Sequence, residues 1–380
     1  MLLIKNGTVY DGIHREPQHV DLLIEGEKIS RIGDNLVVPE AEEIDASGLN
    51  VFPGFVEAHA HIGLDGYGIG YERQDYNEMG DIISSQLRAI DGINPLDPTF
   101  EMARQAGITS VCTGPGSANV LGGTFAAIKT VGSRVEEMLI REPVAMKCAF
   151  GENPKRCYRE KGNSSRMSTA AHLREALMMA KDYLARKEAA GKDVSKRPAF
   201  NMKWEALIPV LKREIPLKAH AHTADDLFTA IRIAKEFDIK LTLEHCTEGH
   251  LVAEALVAEG YPMAVGPSFG HASKFELKDK SWTTPGILAK LGGQVSIITD
   301  SPVIPQQYLP LMAGMAIQAG MDPFAALQAI TINPAKHIGI ADRVGSLEVG
   351  KDADILLVEG WPFAIGHTMR YVFINGVNVL

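Results

Sequence analysis

Cysteine is scarce in this chain: 380 residues hold four, Cys112, Cys148, Cys157 and Cys246, with no CxxC pair. That argues against a disulfide framework and suits a reducing, cytoplasmic setting. No uninterrupted apolar run approaches the roughly 20 residues needed to span a bilayer. The opening stretch Met1-Leu2-Leu3-Ile4-Lys5 is too short to read as a signal peptide. Positive charge is also in short supply. Lys and Arg number 38 against 47 Asp and Glu, a formal charge of -9 without a basic stripe. Such a balance argues against a nucleic-acid partner and fits a solvated surface.

What is present points to a large core. The chain is 46% hydrophobic and 22% charged, with no low-complexity segment or clear repeat. That length suits a barrel with an accessory unit. Both ends are strand-like. Leu2-Leu3-Ile4 precedes Asn6-Gly7, and Val20–Ile24 and Lys28–Ile32 flank Glu25-Gly26-Glu27 in a hairpin pattern. Ala353–Val358 and Tyr371–Ile374 repeat the pattern near the other end. Each group would be marginal as an isolated sheet. The expectation is one small β-sandwich-like domain built from residues 1–50 and 344–380, around a barrel at 51–343.

The middle alternates apolar runs with helical patterns. Strand candidates are Phe52–Val56, Ser110–Thr113, Val144–Phe150, Leu217–Ala219, Leu241–Leu243, Met263–Val265 and Val295–Ile298. Helix candidates are Ala170–Ala189, Ala224–Glu236, Gly249–Glu259 and Pro323–Ile330. This alternation predicts α/β architecture with a parallel sheet, either open or closed into a (β/α)8 TIM barrel, regular or distorted. The eighth barrel strand falls in Thr124–Val131 or in Lys192–Lys203.

Chemistry concentrates at the strand ends. Phe52-Pro53-Gly54-Phe55-Val56-Glu57-Ala58-His59-Ala60-His61 ends an apolar strand in His-x-His. Residues two apart in a strand share a side, so both imidazoles can approach one ion at the C-terminal end, where barrel active sites lie. Leu217-Lys218-Ala219-His220-Ala221-His222 repeats the pattern. Leu241–His245 adds a histidine at a third strand end and Val295–Asp300 an aspartate at a fourth. One such histidine would mean little, but four strand ends in this order indicate a centre for zinc, iron or manganese.

These residues resemble the amidohydrolase superfamily, nearest its imidazolonepropionase-like and Xaa-Pro dipeptidase-like branch, over essentially the whole chain. The likeness rests on Pro53–His61, on Asn333-Pro334-Ala335 and on Gly345-Ser346-Leu347-Glu348-Val349-Gly350-Lys351-Asp352-Ala353-Asp354. It implies the barrel and the discontinuous β-domain. It also implies that His59, His61 and Asp300 bind a buried divalent metal, and that His220 and His245 bind a second. A middle-strand bridge is implied too, either a carboxylated lysine or a glutamate. Lys147 lies within its strand and Glu152 just past it, with opposite parity. An unmodified lysine beside cations would be repelled, so Glu152, which needs no modification, is the expected bridge and Lys147 the alternative.

The expected chemistry is hydrolysis of a C–N bond in an amide or cyclic amide by water activated on one or two ions, most simply zinc. Asp300 serves as proton shuttle. His222 and His250 are candidates to steady the oxyanion. His271 and Ser268, beside Gly266-Pro267, and Arg156, beside Lys155, are candidates to bind substrate. The loop Gly114–Asn119 could approach a ligand through its backbone, and the polar stretch from Ile62 to Asn94 reads as an insertion over the barrel mouth. A deaminase on the same scaffold is the second reading, disfavoured because His220 is not followed by His-x-x-Glu. A metal-free assembly protein is the third. The expected partner is a small-molecule substrate, in a chain able to form a homo-oligomer.

Overall fold

The computed structural model describes residues 1–380. Its centre is an eight-stranded sheet curled into a nearly closed barrel. The strands are β1 (Phe55–Ala60), β2 (Ile108–Thr113), β3 (Leu121–Lys129), β4 (Leu139–Ala149), β5 (Leu217–Ala221), β6 (Leu241–His245), β7 (Met263–Val265) and β8 (Val295–Ile297). They neighbour one another in chain order. From β4 to β8 every ladder is parallel, as is the β1–β2 ladder. Crossover helices include Arg166–Ala190 and Ala224–Phe237, close to the spans expected from periodicity. Gly249–Glu259 resolves into a 3-10 turn, Gly249–Val252, and a short helix, Ala253–Ala258.

The eighth strand is β3, on the first of the two expected segments, and it is inverted. It pairs antiparallel with both β2 and β4. The cause is local. Only Gly114–Val120 separates β2 from β3, too short for a helical crossover, so the chain must double back. The other segment, Lys192–Lys203, forms no strand and carries only a 3-10 turn at Val194–Lys196. The ring closes through a third piece of backbone. Ile297 N donates to Ala329 O (2.8 Å), and Val56 N donates to Ile330 O (2.8 Å), so this segment stands between β8 and β1.

Two smaller sheets draw on both ends of the chain. One joins Lys28–Gly33, Asp21–Glu25, Leu2–Lys5 and Glu42–Asp45; the other joins Val377–Asn378, Thr368–Ile374, Ile355–Glu359, Asn50–Pro53 and Thr8–Val9. Asp21–Glu25 and Lys28–Gly33 form the expected hairpin, with Gly26 at φ 59° in its turn. Ile4, Leu22, Ile24, Val51, Ile355 and Leu357 pack into one core between the sheets. The run Phe52–Val56 is not one strand. It breaks at Gly54, where the chain leaves the small sheet and enters β1.

No helix is long and apolar enough to cross a membrane. Three cysteines are buried, and burial pushes the Cys112 and Cys148 thiols up to about 12, so both are inert packing groups.

Gly54 sets how closely the two units approach. A Cβ there would lie 2.9 Å from Thr109 Cβ, on β2. Gly54→Ala is expected to cost about 1–3 kcal/mol by overpacking, read as a lowered midpoint in urea unfolding. An unchanged midpoint would show that this junction is not tightly packed.

Candidate active site

All five motif histidines meet at the C-terminal mouth of the barrel. His59 and His61 come from the end of β1, His220 and His222 from β5, His245 from β6. Ring centroids are 5.3 Å apart for His59–His61 and His59–His245, 4.3 Å for His220–His245 and 4.5 Å for His222–His245. All five are buried. Their donor atoms fall into two groups, His220–His222–His245 and His59–His245–Asp300, each with its atoms within 4.8 Å of one another. His245 belongs to both. His245 (φ 76°) and Asp300 (φ 52°) both hold left-handed backbone, which costs energy for a side chain and marks positions the surrounding fold enforces.

The outer nitrogen of each ring is held. His61 Nδ1 donates to Gly114 O (2.7 Å) and His245 Nδ1 to Gly266 O (2.8 Å). His59 Nδ1 donates to Glu244 Oε2 (3.0 Å). A ring that donates from Nδ1 presents a lone pair on Nε2. His220 Nδ1 lies 2.8 Å from Ser117 Oγ, and His222 Nδ1 lies 2.7 Å from Thr247 Oγ1. Burial drives His59, His220 and His222 well below the usual imidazole range and His245 to about 4, so these rings are neutral. Nε2 of His220, Nε2 of His245 and Oδ1 of Asp300 are buried without a hydrogen-bond partner. That Asp300 oxygen faces His61 Nε2 at 3.2 Å and His59 Nε2 at 3.6 Å. Lone pairs aimed at a carboxylate and at one another are a donor set that suits a divalent cation.

Lys147 and Glu152 are placed differently. The Lys147 ammonium, buried on β4, is 3.1 Å from His59 Nε2 and 5.6 Å above the Phe125 ring. Burial lowers it to about 8. Glu152 opens a short helix, Glu152–Cys157, past the strand end, and belongs to neither donor group. Its backbone N donates to Glu276 Oε2 (2.8 Å). Gly151, at φ 78°, stands between the end of β4 and Glu152.

A cavity of about 450 Å³ opens above the cluster, lined by His61, Tyr76, His220, His222, Arg156 and Asp300 among others. His271 also lines it. Two expected residues are not there. His250 sits on the 3-10 turn after β6, with Nδ1 2.9 Å from Thr284 Oγ1. Ser268 Oγ turns to Ser281 O (3.3 Å). Both hydroxyl and ring are committed to neighbours outside the cavity. The stretch from Ile62 to Asn94 does reach the mouth. Tyr76 stacks on His61 at 5.4 Å, and its carbonyl accepts from Gly116 N.

Three buried carboxylates here carry no motif. Glu276 is buried in the loop after β7. Its Oε1 is 2.5 Å from Lys274 Nζ, 3.7 Å from His222 Nε2 and 3.9 Å from His220 Nε2. Glu244, next to a motif histidine, accepts from His59 and Lys218 (2.9 Å) on one oxygen, and from His337 (2.9 Å) and Thr242 (2.7 Å) on the other. Burial would raise it, but Lys218 and His337 hold it well below the carboxylate range. Glu57 accepts from His59 N, from Thr299 N and Oγ1, and from Gln306 Nε2, and burial pushes it up to about 7.

Imidazoles and a carboxylate gathered at the strand ends of a barrel sheet form a cluster that could hold a divalent metal. The chain matches the model of the Amidohydrolase family over residues 50–379, and it belongs to that family. It is 28% identical to the amidohydrolase tasK of Hapsidospora irregularis, over 94% of this chain and 39% of that protein. It thus spans about two fifths of that relative's length. A dihydroorotase of Aquifex aeolicus is 48% identical over 61 residues, 16% of this chain and 14% of that protein. The crystal structure of an amidohydrolase from Thermotoga maritima superposes with a TM-score of 0.97 at 40% identity, covering all of both chains.

Because Glu244 and Lys218 compensate one another in the barrel interior, removing one partner strands the other. Lys218→Met is expected to destabilise the fold by about 3–5 kcal/mol, and adding Glu244→Gln to restore part of that loss. Denaturant unfolding of the two single variants and the double variant is the check. Additive losses would mean the pair is not coupled.

Proposed function

We propose that the chain is a metal-dependent hydrolase of carbon–nitrogen bonds in amides or cyclic amides. The observation that carries this reading is the pair of donor groups that share His245 at the barrel mouth. His245 has one free lone pair, on Nε2, so it can serve only one ion. If it completes the group with His220 and His222, the other group keeps His59 and Asp300; His61 Nε2, 3.2 Å from Asp300, and Lys147, 3.1 Å from His59 Nε2, are the next donors within reach. We therefore read Lys147 in place of Glu152 as the residue that would supply the remaining ligand: its neutral amine would add to carbon dioxide and release a proton, and the resulting carbamate would be an anionic donor. Burial favours the neutral amine that carboxylation requires. Imidazole and carboxylate donors suit zinc. When bound, a divalent ion supplies Lewis acidity toward water and toward the scissile carbonyl.

The chain's own groups do the rest. The Asp300 carboxylate takes the proton from the attacking water and returns it to the leaving nitrogen. Thr247 Oγ1 can donate to or accept from His222 Nδ1, so His222 can present either a lone pair or an N–H to the cavity. In the second form it steadies a developing oxyanion. Arg156 lines the cavity without an ion-pair partner, beside His271, and suits a substrate carboxylate. We read the two small sheets as the accessory domain that carries both ends of the chain. The dihydroorotase among the relatives puts cyclic amides first in a substrate screen.

Metal content by elemental analysis tests the ligand assignment. About two ions per chain are expected in the wild type and in Glu152→Ala, with loss in Lys147→Ala. The reverse pattern would return the bridge to Glu152. Asp300→Asn is expected to lower kcat about 10²–10⁴-fold on any amide the wild type cleaves, the range for a lost proton shuttle. Wild-type turnover in that variant would sink the mechanism. For carboxylate-bearing substrates, Arg156→Ala should raise KM about ten-fold or more with kcat little changed; equal KM for acids and their neutral amides in both proteins would remove Arg156 from recognition.

A further inference from the structure

A second cavity, of about 600 Å³, is not at the histidines. It lies at the opposite end of the barrel. Pro216, Leu241, Thr242 and Pro262 line it, and these residues precede or open β5, β6 and β7. Catalytic groups of a barrel sit at the other face, so this cavity is separate from the site above.

Its charge is one-sided. Arg141, Lys240 and Lys336 line it with no carboxylate partner. Arg141 donates only to a backbone oxygen, Gly339 O (2.9 Å). Arg213 is neutralised by Asp238, and Lys235 by Glu259 at 2.5 Å. Against the three uncompensated cations stands one unpaired acid, Glu214. In a chain of net charge -9, that local excess is unusual. His337 also lines the cavity, with its side chain only 1% exposed. Its Nε2 is 2.9 Å from Glu244 Oε1, while its Nδ1 is buried with no partner.

We propose that this basal cavity binds a small oxyanion-bearing ligand of the phosphate class, held by Arg141, Lys240 and Lys336 with His337 at its edge. A guanidinium and two ammonium groups around a concave space match phosphate oxygens in charge and in donor count. The ligand lies at the far end of the buried chain His337–Glu244–His59, and no catalytic role is assigned to it.

The test is isothermal titration of the purified, metal-loaded protein with inorganic phosphate. The wild type is compared with Lys240→Ala/Lys336→Ala and with Arg156→Ala, which removes the mouth cation that has no ion-pair partner and no backbone acceptor. Metal content is measured on all three. The expected result is one-site binding in the wild type, weakened about ten-fold or more by the basal double substitution and unchanged by Arg156→Ala. Metal content stays constant, so the metal centre is still loaded in the basal variant and the lost affinity belongs to the basal site rather than to phosphate on the metal centre. Absence of binding at millimolar phosphate overturns the proposal. So does binding that survives the basal substitutions or disappears with Arg156→Ala. Lys336→Glu alone provides a single charge reversal on an exposed residue, with the same expected loss.

Discussion

Everything at the barrel mouth hangs on one buried carboxylate. Glu244 accepts four hydrogen bonds, from His59, Lys218, His337 and Thr242, which fills its acceptor capacity. A buried charge is tolerable only when paired and fully bonded, and Glu244 meets both conditions. Its bond to His59 fixes the tautomer of that ring, so Nε2 faces the cluster. Lys218 in turn donates to Ala58 O (2.9 Å), tying β5 and β6 back to β1. The network thus joins strands that are not neighbours in the sheet, and it sets the orientation of one imidazole while doing so.

The inverted third strand acts in a similar way. Because β3 returns directly after β2, the loop Gly114–Val120 stays at the mouth instead of leading to an outer helix. Gly114 O then receives His61 Nδ1, and Ser117 Oγ meets His220 Nδ1. Glycine at 114 is required by space: a Cβ there would fall within 2.8 Å of Phe125 ring atoms. Asn119 anchors the same loop to the Ile62–Asn94 stretch through Glu78 O and Asp81 O. A departure from the regular barrel therefore supplies partners for two of the rings.

The barrel and its histidines were legible because their signal is local. Apolar runs ending in His-x-His announce both a strand and the face its ligands share. Partners from distant segments were not. Glu276 lies well past the end of β7, in a polar loop, so nothing in its neighbourhood distinguishes it from a solvated acid. Glu244 adjoins His245, but strand parity suggests opposite sides, and it is the left-handed backbone at His245 that turns that ring into the cluster. His250 is the opposite case: by spacing alone, a histidine near a strand end that faces the mouth is indistinguishable from one that faces Thr284. The choice between Lys147 and Glu152 turned on whether the chain bends at Gly151, which parity alone does not decide.

Lys147 and Lys218 make the charge logic of the interior plain. They are register partners on β4 and β5, and both lie over the Phe125 ring, at 5.6 and 5.5 Å. Lys218 has Glu244 at 2.9 Å. Lys147 has no carboxylate within ion-pair distance, only His59 Nε2 and the ring face. A fold that needed a second cation there would be expected to place an acid beside it, as it does for Lys218. Carboxylation of the Lys147 amine would replace that unmatched cation with an anion, where His59, His61 and Asp300 already point lone pairs inward. In our reading, two adjacent buried lysines thus have opposite tasks: one balances the acid that orients His59, and the other gives up its positive charge to hold metal.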